Sequence, residues 1–176
     1  GRLGARIHAN NNVAVYSKLT SQAGLSQSGV GLLDLAGANS YTGETISMQQ
    51  GPTAGVDAGD AGIRVLHSRA LGATGLGNGT RLIQSGLMLS SGVTIGTGLA
   101  DAQREDLTME ARTTLRAQSR SNTWFGNVNL AAATLTGNGS AISMLTRDNS
   151  TLTVMGDITG TGYAMNSTHF DAQTGR

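Results

Sequence analysis

Apolar residues stand two apart along most of the chain, with a polar or small residue between them. Leu33 and Leu35 flank Asp34, Ile46 and Met48 flank Ser47, and Ile63 and Val65 flank Arg64. The spacing returns at Leu87/Leu89, Val93/Ile95, Leu107/Met109, Val128/Leu130, Ile142/Met144 and Leu152/Val154. Successive side chains on a strand point to opposite faces, so each pair predicts a short strand with two apolar side chains facing inward. Gly, Asn or Asp bounds each pair within a few residues and predicts turns. Long helices are not expected, because Gly, Ser, Thr and Asn either cost helix stability or favour turns.

Residues 101–120 carry a denser charge pattern. Asp101/Glu105 and Arg112/Arg116 have the i,i+4 spacing of a helix face. Leu107, Met109 and Ala111 nevertheless alternate, and Leu115, Ala117 and Ser119 alternate after a shift of one. The alternation predicts two strands with charged outward faces.

Composition separates the possible β architectures. Aromatic residues make up 3% of the 176 residues, with 1 Trp, 3 Tyr and 2 Phe. A sandwich fills a wide core with β-branched and aromatic side chains. A thin core of Leu, Ile, Val, Ala and Met suits a β-solenoid, in which each turn buries a few aliphatic side chains and stacks on the next. Disorder is disfavoured, because disordered chains pair low hydrophobicity with high charge, whereas this chain is 38% hydrophobic with net charge +1. Collagen is excluded by a single Pro and by the lack of a three-residue Gly period. Neither a basic cluster for nucleic acid nor an acidic tail stands out. No apolar run approaches the ~20 residues of a membrane-spanning helix. With 0 Cys, disulfides and Cys-based metal sites are impossible. The length suits one domain, taken as residues 1–176. The chain begins at Gly1 without an initiator Met or signal peptide, so a piece of something longer is expected.

The run Gly31-Leu32-Leu33-Asp34-Leu35-Ala36-Gly37-Ala38-Asn39-Ser40-Tyr41-Thr42-Gly43-Glu44-Thr45-Ile46 resembles the autotransporter-associated β-strand repeat, also called the passenger-associated transport repeat. Gly31, Leu33, Leu35, Gly37, Asn39, Tyr41, Gly43 and Thr45 stand at the places of that repeat's pattern. Gly24–Gly29 resembles the turn before the motif, and Ala70-Leu71-Gly72 the segment after it. Trp124-Phe125-Gly126-Asn127-Val128-Asn129-Leu130 resembles a further strand of such arrays. Leu152–Gly162, with Gly156, Gly160 and Gly162, is similar to the strand leading into a next repeat. The resemblance covers about residues 24–162 and thins between 96 and 120. It implies a right-handed parallel β-helix in a secreted or surface-exposed bacterial protein, a stalk or passenger rather than an enzyme.

The physical reading agrees with this. Stacked parallel strands bond each backbone to the turns on either side, so little core is needed per turn. At about 20 residues per turn, a common repeat scale, about eight or nine turns are expected. Gly37 and Gly43 are expected to supply positive φ at corners. Asn39 is expected in a left-handed corner, bonded to nearby backbone or in an Asn ladder. Tyr41 is expected to cover a corner with its hydroxyl reaching solvent or backbone. The ends of a solenoid are open edges, so copies of the chain, or adjoining repeats of a longer chain, are the expected partners.

Candidate chemistry is sparse. His8, His67 and His169 lack the close spacing of a zinc site and read as surface residues. A Ser-His-Asp set has no nucleophile elbow to support it. The Asp57–Gly62 loop carries Asp57 and Asp60, too few acids for the 6–8 oxygen ligands of calcium. Asp101, Glu105, Asp106 and Glu110 form the densest carboxylate group, and β-helix lyases and hydrolases use such groups. Arg104, Arg112, Arg116 and Arg120 among them favour a solvated, salt-bridged face. Of Trp124 and Phe125, one is expected to be buried and the other partly exposed. The sequons at Asn78, Asn138, Asn149 and Asn166 read as chance matches in an Asn/Thr/Ser-rich chain. No cofactor is expected. The sequence thus points to a structural extracellular β-solenoid, either a section of a bacterial surface stalk or passenger or the subunit of a head-to-tail filament. A glycan-binding adhesin is the alternative, and a β-helix lyase or hydrolase stands behind it.

Overall fold

The computed structural model describes residues 4–49, 61–131, 142–147 and 149–160. Asp57, Asp60, Asn138, Gly162, the stretch 163–176, Asn166 and His169 lie outside the described residues.

The described residues are all β, without a helix. In chain order the strands are β1 (Ala5–His8), β2 (Val13–Val15), β3 (Leu25–Ser28), β4 (Leu32–Leu35) and β5 (Thr45–Met48). Then come β6 (Gly62–Val65), β7 (Thr80–Ile83), β8 (Gly86–Leu89), β9 (Thr94–Ile95) and β10 (Leu107–Met109). The last are β11 (Thr113–Ala117), β12 (Ser121–Trp124), β13 (Val128–Leu130), β14 (Ile142–Thr146), β15 (Thr151–Val154) and β16 (Ile158–Gly160).

They form three sheets. The first is seven-stranded, in the order β1-β3-β5-β7-β10-β13-β16. The second is six-stranded, β14-β11-β8-β6-β4-β2, and the third is three-stranded, β15-β12-β9. Every pairing is parallel, for example Leu25 opposite Thr45 and Leu33 opposite Ile63. Up to β8 the chain alternates between the first two sheets; from β9 it also enters the third. Parallel neighbours need a crossover between them, and here the strands of the other sheets supply it. This arrangement is consistent with a β-solenoid.

Register partners lie 20 residues apart at the N-terminal end, where Ala5 faces Leu25, and 30 apart where Val128 faces Ile158. The expected uniform period of about 20 holds at the first turns and nearly so again between β10 and β13, where Asp106 and Asn127 stand 21 apart, but not in between or after. Two of the wider spacings, Thr45 to Thr80 and Val128 to Ile158, contain the segments 50–60 and 132–141.

The core is one aliphatic cluster with few aromatics. Leu33 and Leu35, Ile63 and Val65, Leu87 and Leu89, and Leu115 stack in register from the second sheet. Leu25, Leu82, Leu107, Met109, Val128 and Leu130 face them from the first sheet, and Ile95 and Trp124 from the third. The alternating pairs were legible in the sequence with one inversion. In β5 the buried residues are Thr45 and Ser47, while Ile46 and Met48 are only half-buried. The register of β3 and β7 explains the inversion: Leu25 and Thr80 sit inward opposite Thr45, and a one-residue slip would turn every side chain of β5 to the other face.

Residues 101–120 hold β10 and β11, as the alternation predicted, and not a helix. The expected charged outward face is only partly solvated. Asp34, Arg64, Met88 and Arg116 form one row in register on the second sheet. Arg64 Nε donates to Asp34 Oδ1 at 2.8 Å, and an Arg116 Nη2 donates to Met88 Sδ at 3.0 Å. Arg116 is 2% exposed, so it does not stand on a solvated face.

Candidate functional site: a polar column inside the sheets

The residues singled out from the repeat-like pattern lie in the interior and at the corners. Leu33 and Leu35 are fully buried in β4. Gly43 has φ 95°, as expected of a corner glycine. Gly37 does not adopt positive φ; its constraint is space, since a Cβ there would sit 2.4 Å from Ser17 O on the preceding turn. Gly31, Gly126, Gly156 and Gly160 are crowded in the same way, against Asn11, Glu105, Gly126 and Leu130 respectively.

Asn39 departs from the expected left-handed corner, because its φ is not positive. It is fully buried and bridges two neighbouring turns. Its Oδ1 accepts from Leu19 N at 2.8 Å, and its Nδ2 donates to Ala70 O at 2.6 Å. The expected Asn ladder is not formed here, since Leu19 stands at the equivalent place one turn earlier. Tyr41 is also inside, 2% exposed, and its hydroxyl reaches neither solvent nor backbone. It lies 2.6 Å from Thr45 Oγ1, which itself donates to Leu71 O at 3.2 Å. Thr45 has thus committed its proton, and Tyr41 is the donor between the two.

A second buried chain runs beside it. Ser47 Oγ donates to Gln27 Oε1 at 2.8 Å and lies 2.7 Å from Ser85 Oγ, so Ser85 donates to Ser47. Gln27 and Ser47 are register partners on adjacent strands, both fully buried. The polar stretch of the first sheet therefore satisfies itself through side chains, as buried hydroxyls and amides must.

Glu105 closes the column and corrects the expectation of a solvated carboxylate face. It is 1% exposed, and Thr80 Oγ1 donates to its Oε1 at 2.8 Å. Burial pushes its carboxyl up to about 8; the Thr80 bond opposes this and the Asp106 charge adds to it. Burial also raises the Tyr41 phenol, opposed by the Thr45 bond and reinforced by the charge of Glu105. The other acids of the group do form an outer face. Arg104 pairs with Asp101 at 2.6 Å and with Asp106 at 2.9 Å, and Arg81 pairs with Glu110. Asp101 and Asp106 thus share Arg104, while Glu110 is paired separately with Arg81.

Trp124 is fully buried in the core and Phe125 is half-buried, the division expected of them. Among the described residues no acceptor meets the Trp124 indole N–H. His8 is exposed, with Nδ1 2.9 Å from Ser28 Oγ, and His67 Nδ1 accepts from Arg69 N at 3.0 Å. Among the described residues no group of three or more His, Asp or Glu could hold a metal.

Sequence reasoning missed one corner device. Asp106 Oδ1 accepts from Asn127 N at 3.0 Å, and Asn127 Oδ1 accepts from Asp157 N at 3.1 Å. Asp106, Asn127 and Asp157 each immediately precede a strand of the first sheet. The available signal was an Asp or Asn one residue before Leu107, Val128 and Ile158. Comparison with protein-family models gave no match to this chain, and comparisons with curated proteins and with solved structures gave none either.

Proposed function

We propose that this chain is a structural right-handed parallel β-helix, a section of the stalk or passenger of a secreted or surface-exposed bacterial protein. One observation carries the reading: a single repeated backbone bond runs through the first sheet. Ala5, Leu25, Thr45, Thr80, Leu107 and Val128 each donate N–H to the residue preceding the next strand, respectively Gly24, Glu44, Gly79, Asp106, Asn127 and Asp157, at 2.8–3.1 Å. Each turn is therefore held by the one before and the one after. Such a ladder gives a stiff rod at about 4.8 Å per turn with a small core. The resemblance of residues 31–46 to the passenger repeat supplies the location. The buried hydroxyls and Glu105 serve to hold turns together.

The test is display. Fused ahead of an outer-membrane translocator, the chain is expected to reach the cell surface, be shaved by added protease, and image as a rod by atomic force microscopy. Retention in the periplasm, or a compact globule, overturns the reading. A glycan array separates it from the adhesin alternative, which requires saturable binding.

A further inference from the structure

The third sheet turns Ile95, Asn122 and Trp124 inward, so the alternate residues of its strands face out. In register these are Thr94, Thr123 and Thr153 in one column, with Ser121 and Thr151 in the next. All are exposed except the half-buried Thr123, and their hydroxyls have no hydrogen-bond partner among the described residues. The face is a neutral array of donors and acceptors on strands about 4.8 Å apart.

Its borders are unlike. On the side of the second sheet, Arg120 and the half-buried Arg147 stand at the corners into β12 and β15. The exposed Arg69 follows Ser68, whose Oγ accepts from Thr94 N at 3.0 Å, and so stands one turn before β9. None of these three pairs with a carboxylate among the described residues, whereas Arg64, Arg81 and Arg104 do. A Cβ added at Gly92 would meet Arg120 Cβ at 3.6 Å and Cδ at 3.7 Å, so the Arg120 stem lies along the neighbouring turn. On the opposite side, where the chain leaves for the first sheet, stand Leu76, Leu99 and Met155, 66%, 49% and 47% exposed. The loops of Leu76 and Leu99 are tied together: Gly75 N donates to Arg104 O and Thr74 Oγ1 to Ala102 O, both at 2.9 Å. Acids nearby are few. Asp101 is paired with Arg104, Asp157 is exposed beyond Met155, and Asp148 lies outside the described residues.

We propose that this lateral face seats the chain on an anionic lipid bilayer. The arginines meet headgroup phosphates, the Thr and Ser hydroxyls bond headgroup oxygens, and Leu76, Leu99 and Met155 enter the acyl boundary. Cations on one border and apolar tips on the other match the two chemistries of a membrane surface. A four-residue strand spans roughly 13 Å at about 3.3 Å per residue, and an extended planar partner meets both borders at once. Adjoining repeats of a longer chain would lengthen the sheet along its axis and leave this face open.

The experiment is co-sedimentation of the whole chain with vesicles of phosphatidylcholine and phosphatidylglycerol in equal parts, against vesicles of phosphatidylcholine alone. Saturable binding is expected, about tenfold or more stronger on the anionic vesicles. Arg69→Gln combined with Arg120→Asn weakens it about tenfold or more; Asn tolerates the φ of 60° at that corner. Leu76→Ser combined with Leu99→Ser also weakens it about tenfold or more, with the charge unchanged. Arg6→Gln, at an exposed arginine on the first sheet, leaves binding as it was. All these sites are exposed, so circular dichroism is expected to be unchanged. No binding to anionic vesicles, binding that survives either double substitution, or an equal loss in Arg6→Gln overturns the proposal. Capture by heparin beads without capture by vesicles overturns it too, leaving a purely ionic surface. Because the assay uses the purified chain, its failure leaves the stalk reading standing, and a failure of display leaves the vesicle result standing.

Discussion

At the residue scale, buried polar side chains here replace part of the hydrophobic core. Asn39 satisfies a backbone donor on one turn and a backbone acceptor on another. Asn39→Ala leaves the half-buried Leu19 N–H and the buried Ala70 C=O without that partner, at about 1–3 kcal/mol for each group. Urea unfolding is expected to show a loss of about 2–6 kcal/mol with the m-value retained. Glu105 makes stability depend on pH. Its folded carboxyl is raised to about 8 from an ordinary 4.5, so the folded state holds the proton more tightly than the unfolded chain. Stability is then full below about pH 4.5, falls as pH rises, and reaches its low plateau above about 8. Glu105→Gln keeps an acceptor for Thr80 and has no proton to lose. The variant is expected to lack this fall and to exceed the parent in stability at pH 9, as read by unfolding midpoints across pH. A parent whose midpoint stays flat from pH 5 to 9 would show the buried-acid account to be wrong.

At the scale of the element, burial within a strand is decided by register as well as by side-chain type. β5 turns Thr45 and Ser47 inward because its neighbours β3 and β7 fix the register, and Ile46 and Met48 take the outer face. Substitutions on the two faces should therefore differ in the opposite sense to their hydrophobicity. Ile46→Thr is expected to cost less than about 1 kcal/mol, since it sits outward and only half-buried. Ser47→Ala strands Gln27 Oε1 and Ser85 and is expected to cost about 1–3 kcal/mol. Leu87→Ala, in the centre of the second sheet, provides the scale at about 2–5 kcal/mol. Thermal unfolding of the three variants checks the order. The element types were legible in the sequence, as the β10 and β11 strands show. The facing of β5 was not, because Ile-x-Met and Thr-x-Ser interleave at the same period and only the neighbouring strands choose between them.

For the molecule as a whole, the proposed solenoid makes stability a sum of neighbouring contacts along one axis, so it should decline toward the outermost described strands. β4, β6 and β8 carry fully buried Leu33, Ile63 and Leu87 and have a strand on each side. Among the described residues β1 and β16 have one neighbour each and are largely exposed. Hydrogen exchange is expected to be slowest in β4–β8 and fastest at β1 and β16, with fraying from the ends inward. Uniform protection from β1 to β16 would mean a single cooperative unit and would contradict the additive picture.

The sequence by itself determined the strand-rich class, the thin aliphatic interior and the corner glycine Gly43. These follow from a period of two and from steric limits local to a few residues. The places of Asn39, Tyr41 and Glu105 were decided only by the tertiary structure, which takes all three into the interior. Whether a polar side chain is costly outside or satisfied inside depends on which backbone group the adjacent turn presents, and that turn lies 20 residues or more away along the chain.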